Sequence, residues 1–471
     1  MSSILETGRN RTKCQKFTPM ALVNTMLDLM NYKTNLIGQT VLENSFGSGN
    51  ILKAVVLRYI KSAIGDGVDK KSIANGLTRD IYGIELDKVL YKKCVIDLNA
   101  ILKTYGIPAV QWNLYNGNAL LLNLEMKFDY VIGNPPYISY KEMDVKSRKI
   151  LKELFESCSV GKFDYCYAFI ELGIRCLKST GKLVQLIPNN IYKNVFAKNL
   201  RTLLLGHVST ILDYPNQDLF DKTLTSVSVF LYDMTDGASD IHYENVTEGI
   251  KREVKRESLG DKWIFGASGN ERKKKKRFGD IFHASIAVAT LYNKAFVMED
   301  KYVSDTGLEG SIIRNAVSPK TLHLKKTVKI IFPYYYDAGV LQHYSSHEFE
   351  QLFPNAWSHL KKYAKQLKSR NSDKNAAWFE YGRSQALAHL NTDKLLISTI
   401  ITNVVEVCRV DADTIPFSGI YITVRDNNYS LDDAVKILKS EQFLRYIQNI
   451  GISISGKSLR VTCKDINNYL F

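Results

Sequence analysis

The chain of 471 residues contains no CxxC pair, and its seven cysteines are irregularly spaced. Zinc ribbons and thioredoxin-type redox sites need close cysteine pairs, so the sequence disfavours both classes. We therefore expect reduced, buried thiols and no metal site.

Long apolar runs are absent as well. No stretch approaches the roughly 18 uninterrupted apolar residues of a membrane span. Residues 1–13 have no apolar core after their charges, unlike a secretory signal. We expect a cytoplasmic monomer with no membrane partner. An apolar content of 45% is sufficient for two domains with their own cores.

Positive charge is in excess, with a net charge of +15 and a pI of about 9.2. Residues 251–277 hold eleven Lys or Arg against four Asp or Glu. This segment is either a solvated surface loop or a hinge that contacts the phosphates of a polyanion. The candidate phosphate contacts are Lys273, Lys274, Lys275, Lys276 and Arg277.

The first half alternates short apolar segments with amphipathic ones. Strands are predicted at 40–42, 80–84, 128–133, 182–187 and 225–232, and helices at 20–30, after residue 50 and at 164–177. Thr18 and Pro19 are suited to open the first helix. This alternation predicts an α/β domain over 1–245, with a mostly parallel sheet covered on both faces. Residues 246–471 lose the pattern and predict a mixed α+β domain.

Polar clusters at 43–50, 85–87 and 134–137 all follow predicted strands. Ligands of parallel sheets bind at the carboxyl ends of the strands, so we expect the clusters to form one site. Gly47 and Gly49 lie in a strand-to-helix turn, which lets backbone approach a ligand. Glu85 is placed to accept the ribose hydroxyls of an adenosine.

The segment Asn134-Pro135-Pro136-Tyr137 carries the chemistry. Its prolines fix the backbone and remove two N–H donors, which leaves the Asn134 side-chain carbonyl and the Pro135 carbonyl as acceptors. Two acceptors facing an aromatic amine localise its lone pair for attack on a methyl sulfonium, and Tyr137 can stack on the target ring. The structural alternative is a rigid Asn-Pro turn with no chemistry.

The order of these motifs resembles the gamma class of amino-DNA methyltransferases, the TaqI-like adenine modification enzymes. The resemblance is strong over the first half and loose over the second. It rests on segments 16–19, 41–50, 84–87, 117–120, 134–137, 163–171, 181–189 and 219–227, and weakly on 277–281 and 293–297.

The resemblance implies a Rossmann-like class I S-adenosylmethionine-dependent methyltransferase domain and a C-terminal target-recognition domain. It implies a restriction-modification enzyme that methylates N6 of a flipped adenine in double-stranded DNA, with a cognate endonuclease acting separately. The implied catalytic residues are Asn134, Pro135, Tyr137 and Phe220, and the implied cofactor contacts are Thr18, Glu43, Gly47, Gly49, Glu85, Asn118 and Phe169. Candidate base contacts in the second domain are Arg383, Gln385, Lys457 and Arg460.

Several features depart from the family pattern. Asn44-Ser45-Phe46 replaces the usual Pro-Ala-Cys, Glu43 replaces Asp, and Asn118 stands where Asp is frequent. An amide accepts more weakly than a carboxylate, so these changes bear on cofactor affinity rather than on the reaction.

Other functions stay open at this point. Methylation of a cytosine ring carbon is disfavoured because the chain has no Pro-Cys pair. Methylation of the cytosine N4 amine, and a catalytically silent DNA-binding protein on the same scaffold, remain alternatives. Protein glutamine and RNA guanine methylases share the NPPY segment but rarely have the Phe-Thr-Pro motif. A fused nuclease is disfavoured because no Pro-Asp dipeptide occurs.

Overall fold

A computed structural model describes residues 18–220, 223–266, 276–455 and 458–471, without the side chains of 216–220, 223–225, 453 and 455. It forms two compact units, Met1–Gly266 and Ala267–Phe471. No helix in the described ranges has both the length and the apolar character needed to cross a bilayer.

The first unit is built on one sheet of nine strands in the order β3-β2-β1-β4-β5-β7-β6-β8-β9. The strands are β1 Val41–Glu43, β2 Ile81–Glu85, β3 Asn113–Asn116, β4 Phe128–Gly133, β5 Leu177–Pro188, β6 Val208–Phe220, β7 Thr223–Asp233, β8 Asp240–Asn245 and β9 Ile250–Lys255. The first five run parallel, and β7 is antiparallel to β5 and β6.

Helices cover both faces of this sheet, which the two-residue period of the strands makes apolar on each side. Val131 and Leu183 face one core, whereas Ile132 and Val184 face the other. The helices are α1 Met20–Leu29, α2 Asn50–Gly65, α3 Lys70–Asp80, α4 Lys88–Tyr105, α5 Val145–Leu154, α6 Cys166–Arg175 and α7 Lys198–Leu205. The predicted Rossmann-like α/β class is confirmed.

The sheet of the first unit continues past residue 245, where the sequence placed the domain boundary. Strand β9 pairs with β8, and β8 pairs in parallel with β6. The sequence predicts no strand for this hairpin, because the charged residues of β9 hide its alternation.

The second unit combines short helices with four small sheets, as predicted for a mixed α+β domain. Its helices are α8 Phe278–Ile281, α9 Asn293–Phe296, α10 Asp300–Thr306, α11 Pro319–His323, α12 Ser346–Leu352, α13 Pro354–Lys361, α14 Ala364–Lys368, α15 Leu431–Leu438, α16 Glu441–Ile450 and α17 Cys463–Asn467. Its strands are β10 Phe282–Ile286, β11 Val297–Glu299, β12 Ile313–Val317, β13 Val328–Ile331, β14 Tyr334–Asp337, β15 Val340–His343, β16 Lys394–Ile397, β17 Ile400–Ile401, β18 Val407–Val410, β19 Ile415–Pro416, β20 Ile420–Val424, β21 Ile452–Ser455 and β22 Ser458–Arg460.

One local prediction was wrong. Thr18 does not cap α1, because Pro19 occupies the N-cap position and no side chain caps the helix. In the second unit, Ser430 caps α15, and Ser440 caps α16 by accepting a hydrogen bond from the Phe443 N–H.

Candidate active site

The polar clusters after β1, β2 and β4 lie side by side, because these strands are adjacent and parallel. Leu42 is paired with Tyr82 on one side and with Val131 on the other. The carboxyl ends of all three strands therefore meet at one edge of the sheet, which is where parallel sheets bind their ligands. The register therefore brings the three clusters to the same edge, and that they form one ligand site stays a prediction.

The turn between β1 and α2 requires glycine at two positions. Gly47 and Gly49 have φ angles of +53° and +81°, where L side chains are strained. A Cβ atom on Gly49 would lie 2.3 Å from Cys94 Sγ, whereas the space around Gly47 is open. Gly49 is therefore fixed by both conformation and packing, and Gly47 by conformation alone.

Glu85, the last residue of β2, is hydrogen-bonded to this glycine turn. Its carboxylate accepts hydrogen bonds from the Gly47 N–H at 2.8 Å and from the Asp87 N–H at 2.7 Å. Burial raises its pKa, and these two N–H groups oppose that effect. Each carboxylate oxygen keeps capacity for a further donor, so Glu85 is suited to bind ligand hydroxyls.

Glu43 is only 2% exposed at the end of β1. Burial, followed by the nearby charge of Glu85, raises its pKa well above the usual range, while the Leu52 N–H hydrogen-bonds the carboxylate. Within the described part of the chain its Oε2 atom has no hydrogen-bond partner. A buried acceptor of this kind favours a ligand that brings N–H donors or positive charge.

Asn134 is linked to the glycine turn through Thr18. The Asn134 Nδ2 donates to Thr18 Oγ1 at 3.1 Å, and the Thr18 carbonyl accepts from Asn50 Nδ2 at 3.4 Å. Asn50 is the first residue of α2, directly after Gly49. The amide nitrogen of Asn134 is thus oriented by Thr18, which fixes the direction of the carbonyl at the other end of the carboxamide.

Burial and a hydrogen bond also fix Pro135 and Tyr137 of the proline turn. Pro135 is buried, and the Tyr137 hydroxyl donates to the Leu186 carbonyl of β5 at 3.1 Å. Burial raises the pKa of Tyr137 well above its ordinary value, so the phenol stays neutral. The ring of Tyr137 is therefore fixed in position and carries a neutral hydroxyl.

Asn118 and Phe169 each have contacts within the first unit. The Asn118 side chain is half-buried, accepts from the Leu120 N–H at 3.0 Å and hydrogen-bonds the Tyr165 hydroxyl. Phe169 is buried, with its ring 5.5 Å from that of Tyr165, and its carbonyl accepts from Asn44 Nδ2 at 3.1 Å. The contact of these two residues with a cofactor stays a prediction.

Sequence reasoning missed a buried amide row across three strands. Gly133 is paired with Gln185 in β5, and Asn44 follows β1 on the other side. A Cβ on Gly133 would lie 3.2 Å from Asn44 Oδ1 and 3.9 Å from Gln185 Nε2. Gln185 is fully buried, and neither of its amide atoms has a hydrogen-bond partner among the described residues. The glycine before Asn134 thus leaves room for two carboxamides.

Replacing Gln185 with methionine should stabilise the protein. The change removes an unpaired buried amide while keeping the side-chain length, so we expect the free energy of unfolding to rise by about 1 kcal/mol. Urea denaturation of purified protein measures it. The exposed Gln111→Met serves as the control and should be neutral; a loss of stability in Gln185→Met would contradict the assignment.

The remaining predicted contacts fall into two groups. The side chain of Phe220 and residues 273–275 and 457 lie outside the described residues. In the second unit, Lys276, Arg277, Gln385 and Arg460 are exposed. Arg383 is half-buried and donates to Asp373 at 3.0 Å. No group of three or more His, Cys, Asp or Glu side chains in the described ranges is arranged to hold a metal.

Comparison with known proteins identifies the domain that carries this site. Residues 59–220 match the family model of the Eco57I restriction-modification methylase, and the match includes Glu85, Asn134 and Tyr137. Residues 59–220 are therefore similar to an Eco57I-type methylase domain. S-adenosylmethionine is the cofactor expected of this methylase fold, and the carboxylates Glu43 and Glu85 fit its cationic and hydroxyl groups.

Similarity extends beyond the methylase domain to longer enzymes. The chain is 23% identical to the Type II methyltransferase M.BstVI of Geobacillus stearothermophilus, over 94% of this chain and 87% of the relative. It is 24% identical to the Type II restriction enzyme and methyltransferase RM.Eco57I of Escherichia coli, covering 69% of this chain but 40% of that protein.

A solved structure shares the fold over most of the chain. The Type IIL restriction-modification enzyme MmeI, solved in complex with DNA, superimposes with a TM-score of 0.61 at 15% identity. The match covers 95% of this chain and 65% of MmeI. The chain therefore spans less than two thirds of MmeI and of RM.Eco57I.

Proposed function

We propose that the chain transfers a methyl group from S-adenosylmethionine to the N6 amine of adenine in double-stranded DNA. The observation that carries the proposal is the Asn134-Pro135-Pro136-Tyr137 turn, oriented by Thr18 beside the glycine turn. Similarity to Type II methyltransferases supports DNA as the substrate. The first unit performs the reaction and the second recognises the target sequence.

The chain contributes orientation and electrostatics to this reaction. S-adenosylmethionine supplies an electrophilic methyl group. The carbonyl oxygens of Asn134 and Pro135 accept the two N–H groups of the adenine amine and stabilise the positive charge that develops on nitrogen. No strong base is needed before attack, because the proton leaves only once the nitrogen is cationic. Water then accepts the proton.

Access to the amine requires the adenine to leave the base stack, which costs a few kcal/mol. Stacking on an aromatic side chain returns about 1–3 kcal/mol per base. Tyr137, whose ring is fixed through its hydroxyl, forms one face of the proposed clamp, and Phe220 forms the other. Contacts with DNA phosphates supply the remainder and weaken with salt.

Two alternatives are kept. The cytosine N4 amine is chemically similar, but Asn rather than Ser at position 134 favours adenine. A silent DNA-binding scaffold would have no reason to retain the buried Glu43 beside Glu85, with an oxygen that lacks a hydrogen-bond partner among the described residues. In a restriction-modification system, the chain would act as a monomer and protect DNA from a separate endonuclease.

Single-molecule sequencing of DNA from cells that express the chain tests the proposal. We expect N6-methyladenine within one recurring sequence context. Modified cytosine would support the N4 alternative, and unmodified DNA would support the silent scaffold. Titration calorimetry with S-adenosylmethionine separates these two outcomes further, because a silent scaffold is expected not to bind it.

Cofactor affinity should fall as the pH is lowered. Burial raises the pKa of Glu85 in the free protein, and ribose hydroxyl donors favour its charged form, so binding lowers that pKa. Affinity is thus complete above the free-protein pKa and is lost as the pH falls through it. Calorimetry at about pH 8 and about pH 5 measures the change. Glu85→Gln should be weaker throughout with a smaller pH dependence; equal affinity of the wild-type chain at both pH values would contradict the expectation.

A further inference from the structure

Two tyrosine hydroxyls fix the backbone of the loop 383–389 in the second unit. The Tyr421 hydroxyl donates to the Ala386 carbonyl at 2.8 Å, and the Tyr336 hydroxyl donates to the Leu387 carbonyl at 2.6 Å. Gln385 and His389 on this loop are exposed. Two polar side chains are therefore presented to solvent from a fixed backbone, which is a favourable arrangement for contacting a ligand.

His389 lies beside a second histidine and an arginine from other parts of the chain. Its ring is 5.2 Å from the ring of His283 in β10. Arg425, directly after β20, places Nη2 3.1 Å from His283 Nδ1 and donates through Nη1 to the Gly279 carbonyl at 3.0 Å. Arginine only donates, so Nδ1 of His283 accepts and the proton of the neutral ring is on Nε2.

This cluster has an excess of groups that carry positive charge. Burial, then Arg425 and His389, lower the pKa of His283. The neighbouring carboxylate of Asp426 already accepts hydrogen bonds from the Asn428 backbone N–H and Nδ2 at 3.0 and 2.8 Å. Asp280, the other carboxylate on these segments, is exposed on α8. A bound anion would offset the positive charge of Arg425 and could accept a hydrogen bond from His283 Nε2.

The cluster continues toward the basic segment found in the sequence. Lys276 hydrogen-bonds the hydroxyl of Tyr429 and lies 5.1 Å above its ring, and the Tyr429 N–H donates to the Asp426 carbonyl next to Arg425. We name the set Lys276, Arg425, His283 and His389 the basic band. It joins Lys276 to the loop that carries Gln385, although these residues are far apart in sequence.

We propose that the basic band binds the phosphate backbone of DNA, and that His283 takes part by donating to a phosphate oxygen. The inference rests on the proposed function, since it assigns a DNA contact to the second unit. Gln385 is then directed to the base edges beside the bound backbone.

Phosphate explains the arrangement better than a neutral ligand does. Its oxygens accept from the Arg425 guanidinium and from His283 Nε2 together, as charge-assisted hydrogen bonds. A nearby phosphate favours the charged imidazole, so binding raises the pKa of His283 from its lowered value and takes up a proton. Affinity gained in this way is present below the raised pKa and lost above it.

Salt and pH titrations of DNA binding test the band. The assay is fluorescence anisotropy of the full chain with a duplex of roughly 30 base pairs of arbitrary sequence, since phosphate contacts do not depend on sequence. Arg425→Gln should reduce the slope of log affinity against log salt by about 0.9. Arg425→Lys should restore it, because the charge is retained.

The pH dependence of binding separates the contribution of His283 from that of Arg425. Wild-type affinity should rise about fivefold between about pH 8 and about pH 6, and His283→Gln should lose most of this rise. His347→Gln, an exposed histidine elsewhere in the unit, is the matched control and should behave as wild type.

Two results would overturn the inference: a salt slope in Arg425→Gln equal to that of wild type, or an unchanged pH response in His283→Gln. Neither would affect the proposed function, because methylated adenine in cellular DNA is measured independently. Conversely, absence of methylation together with the expected slopes would reject the enzyme and keep the DNA-binding band. Thermal melting of each variant confirms that it is folded.

Discussion

Asn134→Ala should lower the rate of methyl transfer by about two to three orders of magnitude while leaving S-adenosylmethionine affinity within about threefold of wild type. The side chain accepts one N–H of the target amine, and its loss removes stabilisation that exists only as the nitrogen becomes positive. Single-turnover methyl transfer to DNA measures the rate, and calorimetry measures the affinity.

A matched variant makes this result specific. Asn123→Ala removes an exposed asparagine from a loop of the same unit and should leave both quantities unchanged. If Asn134→Ala kept the wild-type rate, the carbonyl would have no role in the reaction. An equal loss of cofactor binding and rate would instead place Asn134 in the cofactor site.

Gly49→Ala should weaken S-adenosylmethionine binding at least about tenfold and lower the free energy of unfolding. The φ of +81° costs an L residue about 1–2 kcal/mol. The new Cβ would also lie 2.3 Å from Cys94 Sγ and 3.2 Å from its Cβ, so α4 and the glycine turn must separate. Urea denaturation and calorimetry measure the two effects.

Gly47→Ala is the control for this prediction, because it is in the same turn. Its φ of +53° is strained, but no atom lies within 4 Å of the added Cβ. It should therefore show the conformational cost alone and a clearly smaller loss of binding. Equal effects of the two substitutions would contradict a packing role for the Cys94 contact.

The local parts of the site were predictable from the sequence. Strand β4 and the proline turn are adjacent in the chain, so an apolar run followed by Asn134 was sufficient to place the turn at a strand end. The grouping with Gly47 and Glu85 followed from one rule, that parallel strands share their carboxyl edge. Both inferences need only neighbouring residues and strand direction.

Contacts between distant segments were not predictable in this way. Thr18 fits the residue preferences of a helix cap, but in the fold its hydroxyl accepts from Asn134, 116 positions away in the chain. Gln185 looks like a polar interruption of a strand until the register places it opposite Gly133. The basic band depends on Arg425 and two histidines that only the packing of β10, β20 and the 383–389 loop brings together.

The central claim is that the turn at 134–137 presents two carbonyl oxygens to the amine of an adenine. A structure of the chain with a non-reactive analogue of S-adenosylmethionine and a duplex containing its recognition sequence tests this directly. We expect an adenine outside the helix, with its N6 atom about 3 Å from both Asn134 Oδ1 and the Pro135 carbonyl. A cytosine in that position, or an extrahelical base whose amine points away from Asn134, would contradict the account.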